Sequence, residues 1–214
     1  MNVSIKKYIH NTLVLFSKRC TPVLLSKKST PVLLFSCLSI VLLSSGCDDV
    51  ENSIYRGHAC YFIFDAALHP APCQLTMALG NPGHFLTVRS STVNGVRHIL
   101  TTRNYDQAEE NITLTTQKEN ATRCVLGANN AIIIGRSSYT SNFVCYEGQC
   151  SNCLEQYGGT NYPLTWSSNG QQLQCARCHR AYDVNNGVVA QGEGGRQLYT
   201  YKAAFDGAVL RAWN

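Results

Sequence analysis

Two short cysteine pairs constrain this chain more than anything else in it: Cys150-Ser-Asn-Cys153 and, after 21 further residues, Cys175-Ala-Arg-Cys178. One Cys-x-x-Cys turn brings two thiolates to one point, and two such turns supply four. Four sulfurs complete a tetrahedral shell, the geometry of zinc or of a single-iron centre. Any fold the chain adopts has to bring residues 150–153 and 175–178 together. The sequence between the pairs is polar and turn-rich, as in Tyr157-Gly-Gly-Thr-Asn161 and Trp166-Ser-Ser-Asn-Gly170. That predicts a hairpin carrying each knuckle at a strand end. A closed shell of four cysteines leaves no open coordination position, which argues against hydrolytic metal chemistry.

The rest of the chain reads as β. From Ala59 onward, short apolar runs are broken by Gly, Pro and Asn. Strands are expected over residues 59–64, 85–89, 97–102, 112–116, 131–134, 141–146, 173–175, 197–202 and 209–213. Gly80-Asn-Pro-Gly83, Asn94-Gly95, Asn186-Gly187, Gly194-Gly195 and Asp206-Gly207 separate them. Asn-Gly and Asp-Gly between apolar runs are hairpin chemistry, because both residues tolerate positive φ. No stretch of ten or more residues carries a 3.6-residue apolar period. Many short strands at this spacing predict an all-β sandwich or small barrel over residues 59–214.

The first 47 residues read as an export leader. They hold six Lys or Arg and no acidic residue, followed by an apolar run of 13 residues from Pro31 to Leu43, then Ser44-Ser-Gly-Cys47. That run suits a signal peptide and is short for a bilayer span. Small residues before a cysteine resemble a bacterial lipobox, which implies lipidation at Cys47, a membrane anchor and a place in the bacterial cell envelope. An uncleaved anchor and an unlipidated signal peptide are the plainer alternatives. A polar, acidic and flexible tether is expected over residues 48–58. The leader also explains the overall charge of +5. Beyond it, twelve basic residues face thirteen acidic ones, a net of −1. A near-neutral domain offers no electrostatic footprint for nucleic acid.

The second knuckle carries a resemblance. Leu173-Gln-Cys175-Ala-Arg-Cys178-His179-Arg-Ala-Tyr182-Asp183, with Gly187 and Gly192 after it, resembles the second box of Rieske-type proteins. There a cysteine-histidine turn is followed by an aromatic, Asp and a Gly-containing turn. Leu198-Tyr-Thr-Tyr201, Phe205-Asp-Gly207 and Val209-Leu-Arg look like that family's closing strands, and Phe143 to Cys150 sits where its first box begins. The resemblance covers about residues 130–213. It implies a Rieske-like antiparallel domain with a rubredoxin- or zinc-ribbon-like metal subdomain over residues 146–183. The family's [2Fe–2S] cluster takes two cysteines and two histidines. Here the first box has no histidine, and His179 lies one place beyond the usual spacing. The expected ligands are therefore Cys150, Cys153, Cys175 and Cys178, with His179 as an alternative, and zinc is expected over iron.

Other readings of the same residues stay open. Iron, or a [2Fe–2S] cluster on the four cysteines, would make an electron-transfer protein with a redox partner. Cys175-Ala-Arg-Cys178-His179 also matches the c-type haem attachment motif, although its surroundings read as β. In an exported protein the knuckles could instead pair as disulfides and staple a surface binding module. Cys60 with Cys73 and Cys124 with Cys145 could likewise be disulfides, or all four could be buried free thiols. His58, His69, His84 and His98 show no ligand spacing and read as surface or loop residues, and Trp166 and Trp213 as packing anchors. No nucleophile-base order, paired acids or phosphate-cradling loop is present, so no enzyme is inferred.

Overall fold

The computed structural model describes residues 54–214, apart from the side chain of Ser168. The expected leader, its lipidation at Cys47 and the first residues of the tether lie outside the described residues.

The turn chemistry acts where the sequence placed it. Asn94 and Gly95, at φ +52° and +80°, close a two-residue hairpin between β2 (Phe85–Val93) and β3 (Val96–Arg103), with Val93 opposite Val96. Positive φ at both central residues matches the twist of the paired strands. Strand β4 (Glu109–Thr113) adds to the outside of β3. On the other side of β2 lie β6 (Ala131–Arg136), β7 (Phe143–Glu147), β12 (Thr200–Phe205), β13 (Val209–Trp213), β1 (Cys60–Asp65) and β5 (Val125–Leu126). These nine strands form one antiparallel sheet, which curls enough for β5 to meet β2. A second, four-stranded antiparallel sheet has the order β11-β10-β9-β8: Val189–Gln191, Ala181–Asp183, Gln172–Cys175 and Leu164–Ser167. The protein is all-β, as the sequence predicts.

Period-two alternation sorts side chains into two cores. On β6, Ile132 and Ile134 enter the core enclosed by the larger sheet, while Ile133 faces the smaller sheet. Leu86 and Cys145 join the first core, and their neighbours Phe85 and Tyr146 join the second. Strand β6 is covered on both faces, which is why it reads as a continuous apolar run rather than an alternating one. Cys150, Cys153, Leu173, Cys175 and Tyr182 complete the second core, so the four-stranded sheet and its cysteines rest on the outer face of β2, β6 and β7.

Two features depart from the sequence expectations, the tether and His69, and the cysteines take one of the two states left open for them. The tether is docked at its end: Tyr55 stacks on Tyr199 with ring centroids 3.8 Å apart, and its N–H donates to the Thr200 carbonyl at 2.8 Å. Aromatic stacking thus extends the ordered fold four residues upstream of Ala59. All eight described cysteines are free thiols. Neither Cys60–Cys73 nor Cys124–Cys145 is joined, and the side chain that Cys145 contacts inside the core is Cys60. His69 is no simple surface residue; its Nε2 meets Glu119 Oε1 at 2.7 Å with both side chains about nine-tenths buried. Glu119 also closes a capping box with Thr116 on the short helix α2 (Gln117–Ala121), which follows α1 (Gln74–Gly80) in the chain.

Strand β7 buries a carboxylate completely. Glu147 Oε2 accepts from the Tyr201 hydroxyl at 2.7 Å and the Ala128 N–H at 2.8 Å, while Oε1 has no partner. Burial pushes this carboxyl above its ordinary value, and the hydrogen bonds work against that shift without overcoming it. A carboxyl whose folded-state pKa is raised holds its proton more tightly in the folded protein. Its unfavourable contribution is absent below the unfolded-state pKa and grows as pH rises through the folded-state value. The uncharged isostere Glu147→Gln should therefore remove this pH dependence. In urea unfolding, the stability of the variant relative to wild type should be highest at neutral pH and decline towards acid pH. A difference that stays constant with pH would show that the buried carboxyl keeps its ordinary pKa.

Candidate metal centre

The first knuckle lies at the end of β7, where Gly148 and Gln149 lead into helix α3 (Ser151–Tyr157). Cys150 is the N-cap residue of that helix, and the Leu154 N–H donates to its carbonyl at 3.0 Å. This corrects the expectation of a hairpin at both knuckles: Cys150 and Cys153 sit on one helical turn. Seven residues ending at Gly158 were too short to show a helical period. The main chain ties this turn to the smaller sheet. Cys150 N–H donates to Tyr162 O at 2.8 Å, and Leu164 N–H to Gly148 O at 3.0 Å.

The second knuckle follows β9. The His179 N–H donates to Cys175 O at 2.9 Å and the Cys175 N–H to Arg180 O at 3.0 Å, closing a tight turn over residues 175–180. His179 takes φ +58° at its tip. The turn puts Cys175 and Cys178 against the first knuckle. All four sulfurs lie within 4.8 Å of one another, with Cys150 to Cys178 at 3.6 Å and Cys153 to Cys175 at 3.7 Å. A tetrahedron with sulfurs about 2.3 Å from its centre has edges of about 3.8 Å. The cluster is therefore of the size that one tetrahedral ion needs. His179 is exposed and lies outside the four-sulfur group.

The electrostatics of the cluster suit a cation. Cys150, Cys153 and Cys175 are buried, and Cys178 is partly exposed. Burial pushes the Cys150 thiol up to about 11, with the charges of neighbouring cysteines adding to it. The Cys153 thiol is pushed higher by burial and then by Cys178, Cys150 and Cys175. Burial acts on Cys178 too. There the Arg180 N–H and guanidinium, with Cys150 and Cys153, more than offset it and bring the thiol down to about 7. Four thiolates cannot share this space unaided, whereas a divalent cation deprotonates coordinating thiols outright.

Polar groups around the sulfurs are positioned to receive that charge. The Tyr182 hydroxyl lies 3.0 Å from Cys150 Sγ and accepts from Asn152 Nδ2 at 2.8 Å. With its oxygen receiving the amide, its own hydrogen is free to donate to the sulfur. The second Asn152 N–H goes to Arg196 O at 2.8 Å, and Asn152 Oδ1 accepts from the Arg196 N–H at 3.0 Å, which fixes the amide. Arg180 also donates to the Glu193 carbonyl at 2.8 Å and to its carboxylate at 3.1 Å. Sequence reasoning missed Arg180 and Asn152, since a single Arg or Asn near a knuckle carries no distinctive spacing. Trp166 packs against this second core, in keeping with its expected role as an anchor.

Fold and site together define a class: an all-β protein with a largely buried four-cysteine cluster that can hold a metal ion. Compared with known proteins, the chain matches no family model, no curated protein and no solved structure.

Proposed function

We propose that this is a lipid-anchored protein of the bacterial cell envelope, Rieske-like in architecture, whose four cysteines hold one structural zinc ion. The observation that carries the metal reading is the sulfur spacing of 3.6 and 3.7 Å within a group no wider than 4.8 Å. In a [2Fe–2S] cluster, cysteines on different irons are held apart by the length of the cluster, so four mutually close sulfurs favour a single ion. Thioether attachment of a haem would need Cys175 and Cys178 turned to a porphyrin edge, whereas Cys175 is buried among sulfurs. The Rieske-like architecture is supported by the two-part arrangement, a larger antiparallel sheet bearing a small sheet with both knuckles. Lipid anchoring rests on the basic, apolar, small-residue order ending at Cys47.

The role assigned to the ion is to pin two chain segments together. Cys150 and Cys153 hold the α3 turn, and Cys175 and Cys178 hold the β9–β10 turn. The core beneath the smaller sheet is the lesser of the two and draws Phe85, Ile133 and Tyr146 from the larger sheet, and metal-binding energy becomes folding energy in such sites. Chelation tests this role. Stripping the ion from purified protein should lower the melting temperature and abolish the near-ultraviolet circular dichroism of Tyr182 and Trp166, with recovery on adding zinc. Complete metal loss with both signals unchanged would refute a structural role.

One alternative keeps a specific observation in its favour. Hydrogen bonds from Tyr182, the Cys153 N–H and the Arg180 N–H converge on sulfur, and such bonds tune the potential of iron–thiolate centres. An iron-loaded site would make the chain an electron-transfer protein. Colour separates the two readings, since a zinc–thiolate site is colourless.

A further inference from the structure

The four corners of the cluster are not equally protected. Cys150 and Cys153 are fully enclosed and Cys175 is 1% exposed, whereas Cys178 reaches solvent. Arg180 faces that sulfur with both its N–H and its guanidinium. The Cys150 sulfur lies 3.6 Å from that of Cys178, at the buried side. A solvent-accessible cysteine sulfur beside an arginine, with a second cysteine sulfur in reach, is the arrangement that oxidants select.

We propose that Cys178 is an oxidation site through which peroxides release the structural ion and close a Cys150–Cys178 disulfide. The inference rests on the zinc reading above. The Cys178 sulfur attacks one peroxide oxygen, the O–O bond breaks, and hydroxide leaves next to the Arg180 guanidinium. Two electrons pass from sulfur to peroxide and Cys178 becomes a sulfenic acid. The Cys150 thiolate then attacks that sulfur, the S–O bond breaks and a second hydroxide leaves. In sum, two thiolates and one hydrogen peroxide give one disulfide and two hydroxides. A disulfide needs its sulfurs about 2.05 Å apart, so the 3.6 Å gap closes by a side-chain movement of about 1.5 Å. Cys153 and Cys175 alone are too few to keep the ion. Reduction by a dithiol restores both thiols and lets the site refill. In an oxidising compartment the smaller sheet would thus be ordered or loosened by the local peroxide level.

The experiment uses the full-length chain carrying its zinc, with hydrogen peroxide as probe. A chromogenic chelator follows zinc release, and differential alkylation with peptide mass mapping identifies the oxidised residues. Zinc release is expected to run in step with the Cys150–Cys178 disulfide while Cys153 and Cys175 remain alkylatable, and a dithiol with zinc should reverse it. Cys178→His keeps a zinc ligand at that corner but removes its sulfur, and should slow release roughly tenfold or more. Release at the wild-type rate in this variant would overturn the inference. So would first oxidation at Cys153 or Cys175 in the wild type, or zinc retained through peroxide treatment. A protein that takes up no zinc before peroxide is added would instead overturn the structural-zinc reading, and the two failures are distinguishable.

Discussion

Cys175→Ser is expected to strip the chain of its metal and unfold the smaller sheet while the larger sheet stays folded. Cys175 ends β9 and is 1% exposed, with its N–H bonded to Arg180 O. A serine hydroxyl is a poor zinc ligand, so the shell drops to three sulfurs. Structural zinc sites are worth about 10–16 kcal/mol of apparent binding energy in small metal-dependent folds. Losing a substantial part of that is comparable to the whole stability of a single domain, about 5–15 kcal/mol. The larger sheet has a separate core built from residues such as Phe62, Phe64, Leu86 and Ile134, and that core does not depend on the ion. Hydrogen exchange should therefore show β8 to β11 unprotected, with β1, β6 and β13 still protected. Protection retained in β8 to β11 by metal-free Cys175→Ser would show that the smaller sheet stands without the ion.

Gly170→Ala should separate the same small sheet from its support without touching a ligand. Gly170 lies in the turn between β8 and β9 at φ +78°, where an L side chain is strained. A Cβ there would also overlap the Asn104 carbonyl and the Tyr105 nitrogen, which are main-chain atoms with little room to yield. The close approach exists because Asn104 works as a connector. Its Nδ2 donates to Gly170 O at 3.0 Å and to Gly83 O at 3.1 Å, and its Oδ1 accepts from the Phe85 N–H at 3.2 Å. Asn104 itself is 2% exposed. Backbone strain at positive φ costs about 1–3 kcal/mol, and displacing these buried hydrogen bonds adds about 1–3 kcal/mol for each group left unpaired. A loss of at least about 3 kcal/mol in chemical denaturation is expected, with bound zinc retained in the fraction that stays folded. A change below about 0.5 kcal/mol would show that the turn is free to move away from Asn104.

Most of the larger sheet was legible in the sequence because its strands are bounded by strong turn residues. Asn94-Gly95 and Asp206-Gly207 both lie in turns where the chain reverses, and Ile132 to Ile134 form a strand covered on both faces. The clustering of Cys150, Cys153, Cys175 and Cys178 was legible because Cys-x-x-Cys spacing carries a geometric requirement of its own. What escaped notice was short or long-range. Strand β5 has two residues, β10 and β11 have three each, and α3 has seven, all below the length at which a period can be seen. The docking of Tyr55 on Tyr199, the burial of Glu147 beside Tyr201 and the role of Asn104 depend on partners at least 54 residues away in the first two cases and 66 in the third. No local pattern encodes such contacts. The unequal exposure of the four sulfurs is also a property of the assembled fold, since identical Cys-x-x-Cys spacing gives no hint that Cys178 alone reaches solvent.

The central claim is that the four cysteines hold a single structural zinc ion, and it is tested most directly by element-resolved metal analysis. The protein should be isolated from its native compartment without added metal, and its absorption spectrum recorded on the same sample. The account predicts one zinc per chain and a featureless visible region. Iron with sulfur-to-iron charge-transfer bands, or thiols that carry no metal and resist alkylation until reduced, would contradict it.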